Sequence, residues 1–161
     1  MRIVLQRVRQ AAVEIENRKV AQIGQGYLLL VGFEKKDHAG LIQPMIEKLS
    51  KIKLFADENG RFAESILEIG KAVLVVSQFT LFADLKKGKK PSLSNALPPQ
   101  EANQLYLDFV AELKKLPLQV ETGIFGALMQ VHLQNDGPVT VLLDSKELFP
   151  SLYPSGFGIL K

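Results

Sequence analysis

Two short segments place hydroxyls and exposed backbone where apolar runs end: Ser77-Gln78-Phe79-Thr80-Leu81 and Asn135-Asp136-Gly137-Pro138-Val139-Thr140. Residues of these types suit chemistry on an activated carbonyl. In one reading of the first segment, Thr80 presents its hydroxyl to a scissile carbonyl while the amides of Phe79 and Thr80 stabilise the oxyanion. In the other, Ser77 and Thr80 satisfy backbone groups at a strand end. The second segment reads locally as a hairpin turn, because Asn, Asp, Gly and Pro are the residues turns require. Its Gly137-Pro138 bond is also of the one kind at which a cis peptide is realistic.

Conventional catalytic machinery is missing. The chain has no cysteine, so disulfides and thiol chemistry are excluded. His38 and His132 are its two histidines. His132 reads as a surface imidazole on the polar face of a strand and His38 as a pre-helix loop residue, so neither recommends itself for a Ser-His-Asp triad, and no pair of histidines stands at i and i+4 for a metal. Asp57, Glu58, Asp136 and Asp144 read as turn and strand-end residues, and no Gly-rich nucleotide loop is present. No metal and no cofactor is expected. A net charge of +3 is too mild to argue for a polyanionic partner by itself. The distribution says more. Lys86, Lys87, Lys89 and Lys90 surround Gly88 just after the first motif. Such a loop is either simply solvated or an arm that releases counterions from a nucleic-acid backbone.

The elements that must position these residues follow from hydrophobic period. One domain is expected, since 161 residues bury a core without staples. No apolar run approaches the roughly 18 residues of a membrane span, and no signal-peptide pattern opens the chain. The cytoplasm is the default compartment. Alternation predicts strands over 3–8 and 11–16, a polar turn at 17–19 and a return over 20–23. Segment 27–33 is too uniformly apolar to have a wet face, and segment 72–76 is a second buried strand running into Ser77. Helices are predicted over 37–51, starting late or bending at Pro44, and from Pro98-Pro99 through 115. Further strands are expected over 118–121, 127–133 and 139–143. The expected class is therefore α+β: mostly antiparallel sheet, barrel-like, with two helices. The domain is expected to span 1–145, followed by an irregular extension over 146–161 packed on it.

Both motifs, in this order and spacing, resemble the D-aminoacyl-tRNA deacylase family, also called D-tyrosyl-tRNA deacylases. The resemblance runs from Met1-Arg2-Ile3-Val4-Leu5-Gln6-Arg7-Val8 through Gly24-Gln25-Gly26, Val75-Val76-Ser77-Gln78-Phe79-Thr80-Leu81 and Lys87-Gly88-Lys89-Lys90-Pro91-Ser92. It continues through Thr122-Gly123-Ile124-Phe125-Gly126-Ala127-Leu128-Met129 to Thr140, covering about residues 1–144. It implies an editing hydrolase that acts on D-aminoacyl-tRNA and works as a homodimer with active sites at the subunit interface. It further implies that Gly137-Pro138, as a cis pair held by Arg7, enters the partner's pocket and rejects L-aminoacyl groups. Glycyl groups, lacking a side chain, would pass that filter.

By the same resemblance Ser77, Gln78, Phe79 and Thr80 line the pocket for the terminal adenosine and its ester, with Phe125, Gly126 and Met129 on the substrate side. Thr80 matches a threonine once assigned as nucleophile, whereas a later view gives the main part to the 2′-hydroxyl of the last ribose. An aminoacyl ester is already activated, so positioning and oxyanion stabilisation suffice without His, Cys or metal. The chain departs from many relatives at Lys89-Lys90 and Leu93, which stand for Arg-Arg and Phe, and at Phe62-Ala63, which stands for Met-Asn. Lysine keeps the charge of arginine but loses its bidentate fork, which bears on how tRNA is gripped. The two other readings are a catalytically silent nucleic-acid-binding module and a hydrolase with Thr80 as nucleophile.

Overall fold

The computed structural model describes residues 1–86 and 88–153. The chain starts with β1 (Arg2–Ile15), turns at Glu16 and Asn17, and returns as β2 (Arg18–Ile23) and β3 (Gly26–Gly32). Glu16 and Asn17 both have positive φ, 50° and 61°, the backbone of a tight hairpin turn. Helix α1 (Ile42–Lys51) follows a 3-10 turn, and its Pro44 falls in the first turn, where no amide bond is lost. A small hairpin, β4 (Lys53–Ala56) and β5 (Phe62–Ser65), leads into the one-turn helix α2 (Ile66–Ile69), whose start is a Ser65/Glu68 capping box. Then come β6 (Ala72–Ser77), α3 (Pro99–Leu113), β7 (Val120–Thr122), the long β8 (Gln130–Asp144) and the short α4 (Ser145–Leu148).

The main sheet runs β2-β1-β3-β6-β7, with β8 paired along the other side of β1. It curls so that β2 lies against β6 and β7. Its two faces bury different sets. Ile3, Leu5, Tyr27, Leu29, Val31, Val73 and Val75 face α1 and α3, whereas Val8, Val13, Ile23, Leu28, Leu74 and Val76 fill the inside of the curl. The central strands β3 and β6 are thus covered on both sides, as their uniform apolarity requires.

The α+β class with a mostly antiparallel, barrel-like sheet holds: β1 pairs antiparallel with β2, β3 and β8, and β4 with β5, while β3–β6 and β6–β7 are parallel pairs reached by crossovers through α1 and α3. Several finer expectations are corrected. Two long helices are joined by two one-turn helices that carry too few residues to register as a period. The predicted strands 3–8 and 11–16 are one strand, and so are 127–133 and 139–143, which form β8 from Gln130 onward. The hairpin predicted around Gly137-Pro138 is absent; the segment is a bulge inside a continuous strand. Asn135 pairs with Val8 and Thr140 with Gln6, so residues 136–139 stand opposite Arg7 alone. Residues 77–81 are not extended throughout: after Ser77 the chain enters a 3-10 turn, Phe79–Phe82. Segment 145–152 carries α4 and a 3-10 turn in place of an irregular extension, and residues 154–161 of the predicted tail lie outside the described residues.

Candidate functional site

The Ser77 motif sits where the parallel pair β3–β6 ends. Gln78 N–H donates to the carbonyl of Val31 at 2.7 Å, extending that pair by one residue before the chain turns. Gly32 makes the turn possible. A Cβ there would lie 2.6 Å from the carbonyl oxygen of Gln78 and 3.3 Å from Cβ of Leu81. Within the 3-10 turn the first amides, those of Phe79 and Thr80, have no intrahelical acceptor. The Gln78 side-chain amide donates to the Thr80 hydroxyl.

Beside this turn opens a cavity of about 520 Å³, sized for a small ligand. Ser77, Gln78 and Phe79 form one wall; Phe125, Gly126, Ala127 and Met129 form another. Leu93, Ala96, Leu97 and Pro98 form a third, and Val31 and Phe33 contribute from β3 and its end. The second wall is held from below by one carbonyl. Val75 O accepts from Gly123 N at 2.9 Å and from the Tyr106 hydroxyl of α3 at 2.9 Å. Burial raises the Tyr106 pKa to about 12, so the phenol stays a donor. Its ring lies 5.7 Å from that of Phe125. Gly126 takes φ +76°, a left-handed conformation that glycine adopts without strain.

Of the residues singled out from sequence, Ser77, Gln78, Phe79, Phe125, Gly126 and Met129 therefore meet around one space. Thr80 is exposed and does not line it. Arg7, Gly137 and Pro138 form a second cluster elsewhere. The Gly137–Pro138 bond is cis and both residues are exposed on the β8 bulge. The guanidinium of Arg7 is nearly buried, donating from Nε to Asp136 O at 2.9 Å and from Nη1 to Leu54 O. It lies against the rings of Phe55 and Phe62, 5.9 and 5.8 Å from their centroids. Arg9 pairs with Asp136 at 3.0 Å. Asn135 closes the base of the bulge: its Oδ1 accepts from Val139 N at 2.8 Å and its Nδ2 donates to Gln6 Oε1 at 3.1 Å.

Lys86, Lys89 and Lys90 are exposed on a loop closed by paired backbone bonds between Asp84 and Ser92; Lys87 lies outside the described residues. They do not line the cavity, but their loop runs into its Leu93 wall. His132 is exposed and stands 3.5 Å from Glu14, and His38 meets Leu152 O at 2.9 Å; neither lines the cavity. No group of acidic, histidine or cysteine side chains suited to a metal is found among the described residues. No described helix is long and apolar enough to cross a membrane. The third wall, Lys35 and Gly32 escaped the sequence reading. Their signal is tertiary, residing in the Glu34–Ala96 bridge that folds residues 93–98 over the end of β3.

Comparison with known proteins adds to this geometry. A family profile described as D-Tyr-tRNA(Tyr) deacylase matches residues 4–144. The chain is 50% identical over 149 residues to the D-aminoacyl-tRNA deacylase of Thermosipho africanus, covering 92% of this chain and 100% of that one. It is 48% identical over 148 residues to the D-aminoacyl-tRNA deacylase of Thermomicrobium roseum, covering 92% and 96%. Among solved structures, that of the c-Myc DNA unwinding element binding protein superposes with a TM-score of 0.84 at 38% identity, covering 90% of this chain and 99% of that one.

Proposed function

This chain belongs to the D-Tyr-tRNA(Tyr) deacylase family, and from that premise we propose that the cavity beside Ser77 hydrolyses the ester of D-aminoacyl-tRNA. The observation that carries the proposal is the convergence on one apolar cavity of a wall ending at Phe79, whose amide opens a 3-10 turn and has no acceptor within it, and an aromatic wall presented by residues 125–129. Terminal adenosine and the aminoacyl group bury against the apolar walls, and the ester carbonyl points at the amides of Phe79 and Thr80. Water adds to the carbonyl carbon and the negative charge collects on its oxygen, which those amides stabilise. The bond to the ribose 3′-oxygen then breaks, that oxygen takes the proton, and D-amino acid and tRNA leave.

Thr80 is a poor nucleophile here. Its hydroxyl is engaged by Gln78, and no described histidine or carboxylate lines the cavity to act as its base. The vicinal 2′-hydroxyl of the substrate stands beside the ester and supplies the proton relay that the protein lacks.

Selectivity is assigned to Gly137 and Pro138. They do not line the cavity of their own chain, so they act on a bound ester only when presented by another copy. A homodimer joined along β8 meets that need. Backbone without a side chain leaves no room for an L substituent and tolerates none at all, so D-aminoacyl and glycyl esters pass. Lys86, Lys89 and Lys90 grip the tRNA backbone, and the cytoplasm, where charged tRNA is used, is the assigned compartment.

The name of the unwinding-element relative favours a second reading, a module that binds nucleic acid without catalysis. One assay separates the readings: matched D-tyrosyl-, L-tyrosyl- and glycyl-tRNA are offered to the wild type and to Thr80→Ala. We expect release from the D and glycyl esters, at least ~100-fold slower release from the L ester, and a loss of about tenfold or less in Thr80→Ala. Binding without any release would establish the silent module. A loss of about 10⁴-fold in Thr80→Ala would establish the threonine nucleophile.

A further inference from the structure

Among the described residues that line the cavity, Lys35 is the one with an ionisable side chain. It lies just past β3, exposed at the mouth, and its backbone N–H donates to Asn95 O at 3.1 Å, which ties the mouth to the opposite wall. Its Nζ makes no hydrogen bond or ion pair with any described residue. The carboxylates nearest in sequence are engaged elsewhere: Glu34 takes the Lys146 ammonium at 2.7 Å, and Asp37 takes the Met1 ammonium at 2.6 Å. The mouth of an otherwise neutral cavity thus carries an uncompensated positive charge.

Resting on the deacylase reading, we propose that Lys35 binds the phosphodiester immediately 5′ of the terminal adenosine. With adenosine and its ester inside the apolar walls, that diester is the first charged group to emerge, and it emerges at the mouth. A compact ammonium on a flexible stem suits one phosphate as a point charge. The same charge repels the substrate's α-ammonium, which orients the aminoacyl end away from the mouth and toward the Phe79 and Thr80 amides. Lys35 then fixes how deep the 3′ end sits, ahead of the lysine loop that takes later phosphates.

The test compares the 3′-O-D-tyrosyl esters of adenosine and of adenosine 5′-monophosphate, which differ only in that phosphate. In the wild type, kcat/KM is expected to favour the phosphate-bearing ester by about tenfold, the scale of one charge-assisted contact, and the preference should shrink with salt. Lys35→Gln is expected to bring the ratio to about one, and Lys35→Arg to restore most of it. The same ratio in the wild type and in Lys35→Gln would overturn the inference. So would a Lys35→Gln loss confined to D-aspartyl esters, which would make Lys35 a reader of acidic side chains. Hydrolysis of neither ester, nor of D-tyrosyl-tRNA, would defeat the deacylase reading itself and this inference with it.

Discussion

At the residue scale, the carbonyl of Val75 joins two parts of the site. It holds the Gly123 amide, which starts the Phe125 wall, and the Tyr106 hydroxyl, which anchors α3 under that wall. Removing the hydroxyl in Tyr106→Phe leaves that carbonyl one partner and should cost about 1 kcal/mol of stability at neutral pH. The pH dependence has a definite sign. The Tyr106 pKa is raised to about 12 from an ordinary 10, so its contribution is complete below pH 10 and is lost as pH rises toward about 12. Wild-type and Tyr106→Phe unfolding midpoints, followed by urea titration from pH 8 to 12, should therefore converge across that window. Curves that stay parallel to pH 12 would contradict the buried, donating phenol.

At the element scale, the β4–β5 hairpin holds the β8 bulge by way of Arg7. Leu54 supplies a carbonyl to the guanidinium, Phe55 covers one side, and Phe62, itself 58% exposed, covers another. Arg7 in turn donates to Asp136 O, next to Gly137. With selectivity assigned to Gly137 and Pro138 as proposed, a substitution on the hairpin should be read out in selectivity. Phe62→Ala is expected to lower the ratio of D- to L-tyrosyl-tRNA hydrolysis by about two- to fivefold, the worth of one exposed cation–π contact, and Phe62→Tyr to restore it. An unchanged ratio in a folded Phe62→Ala would show that Arg7 holds the bulge without the ring.

At the scale of the whole molecule, one long side of β8 pairs with no strand among the described residues, and its Leu142 and Leu133 are 60% and 39% exposed. An open apolar edge of that length invites pairing with another chain. Sedimentation equilibrium should find a species of twice 17.9 kDa. Leu142→Lys should weaken it to monomer, with the preference for D- over L-tyrosyl-tRNA falling as the monomer fraction rises, as the proposed presentation of the bulge by a partner requires. A fully active, D-selective monomer would remove the interface from the proposed function.

Periodicity and composition alone determined much of this. The doubly buried β3 and β6, the helix opening at Pro98-Pro99 and the end of an apolar strand at Ser77 were all legible, because each depends on neighbours within a few residues of the chain. Tertiary structure decided the rest. Segment 135–140 carries the residues of a hairpin turn, yet Gln6 and Val8 pair on either side of it and make it a bulge facing Arg7. Parallel pairing of β3 with β6 brings Gly32 under the Gln78 carbonyl, and a bridge from Glu34 to Ala96 folds the third wall across. Contacts between residues so far apart in the chain leave no local period. For that reason the Ser77 motif was visible as a strand end, while the cavity beside it, with Lys35 at its mouth, was not.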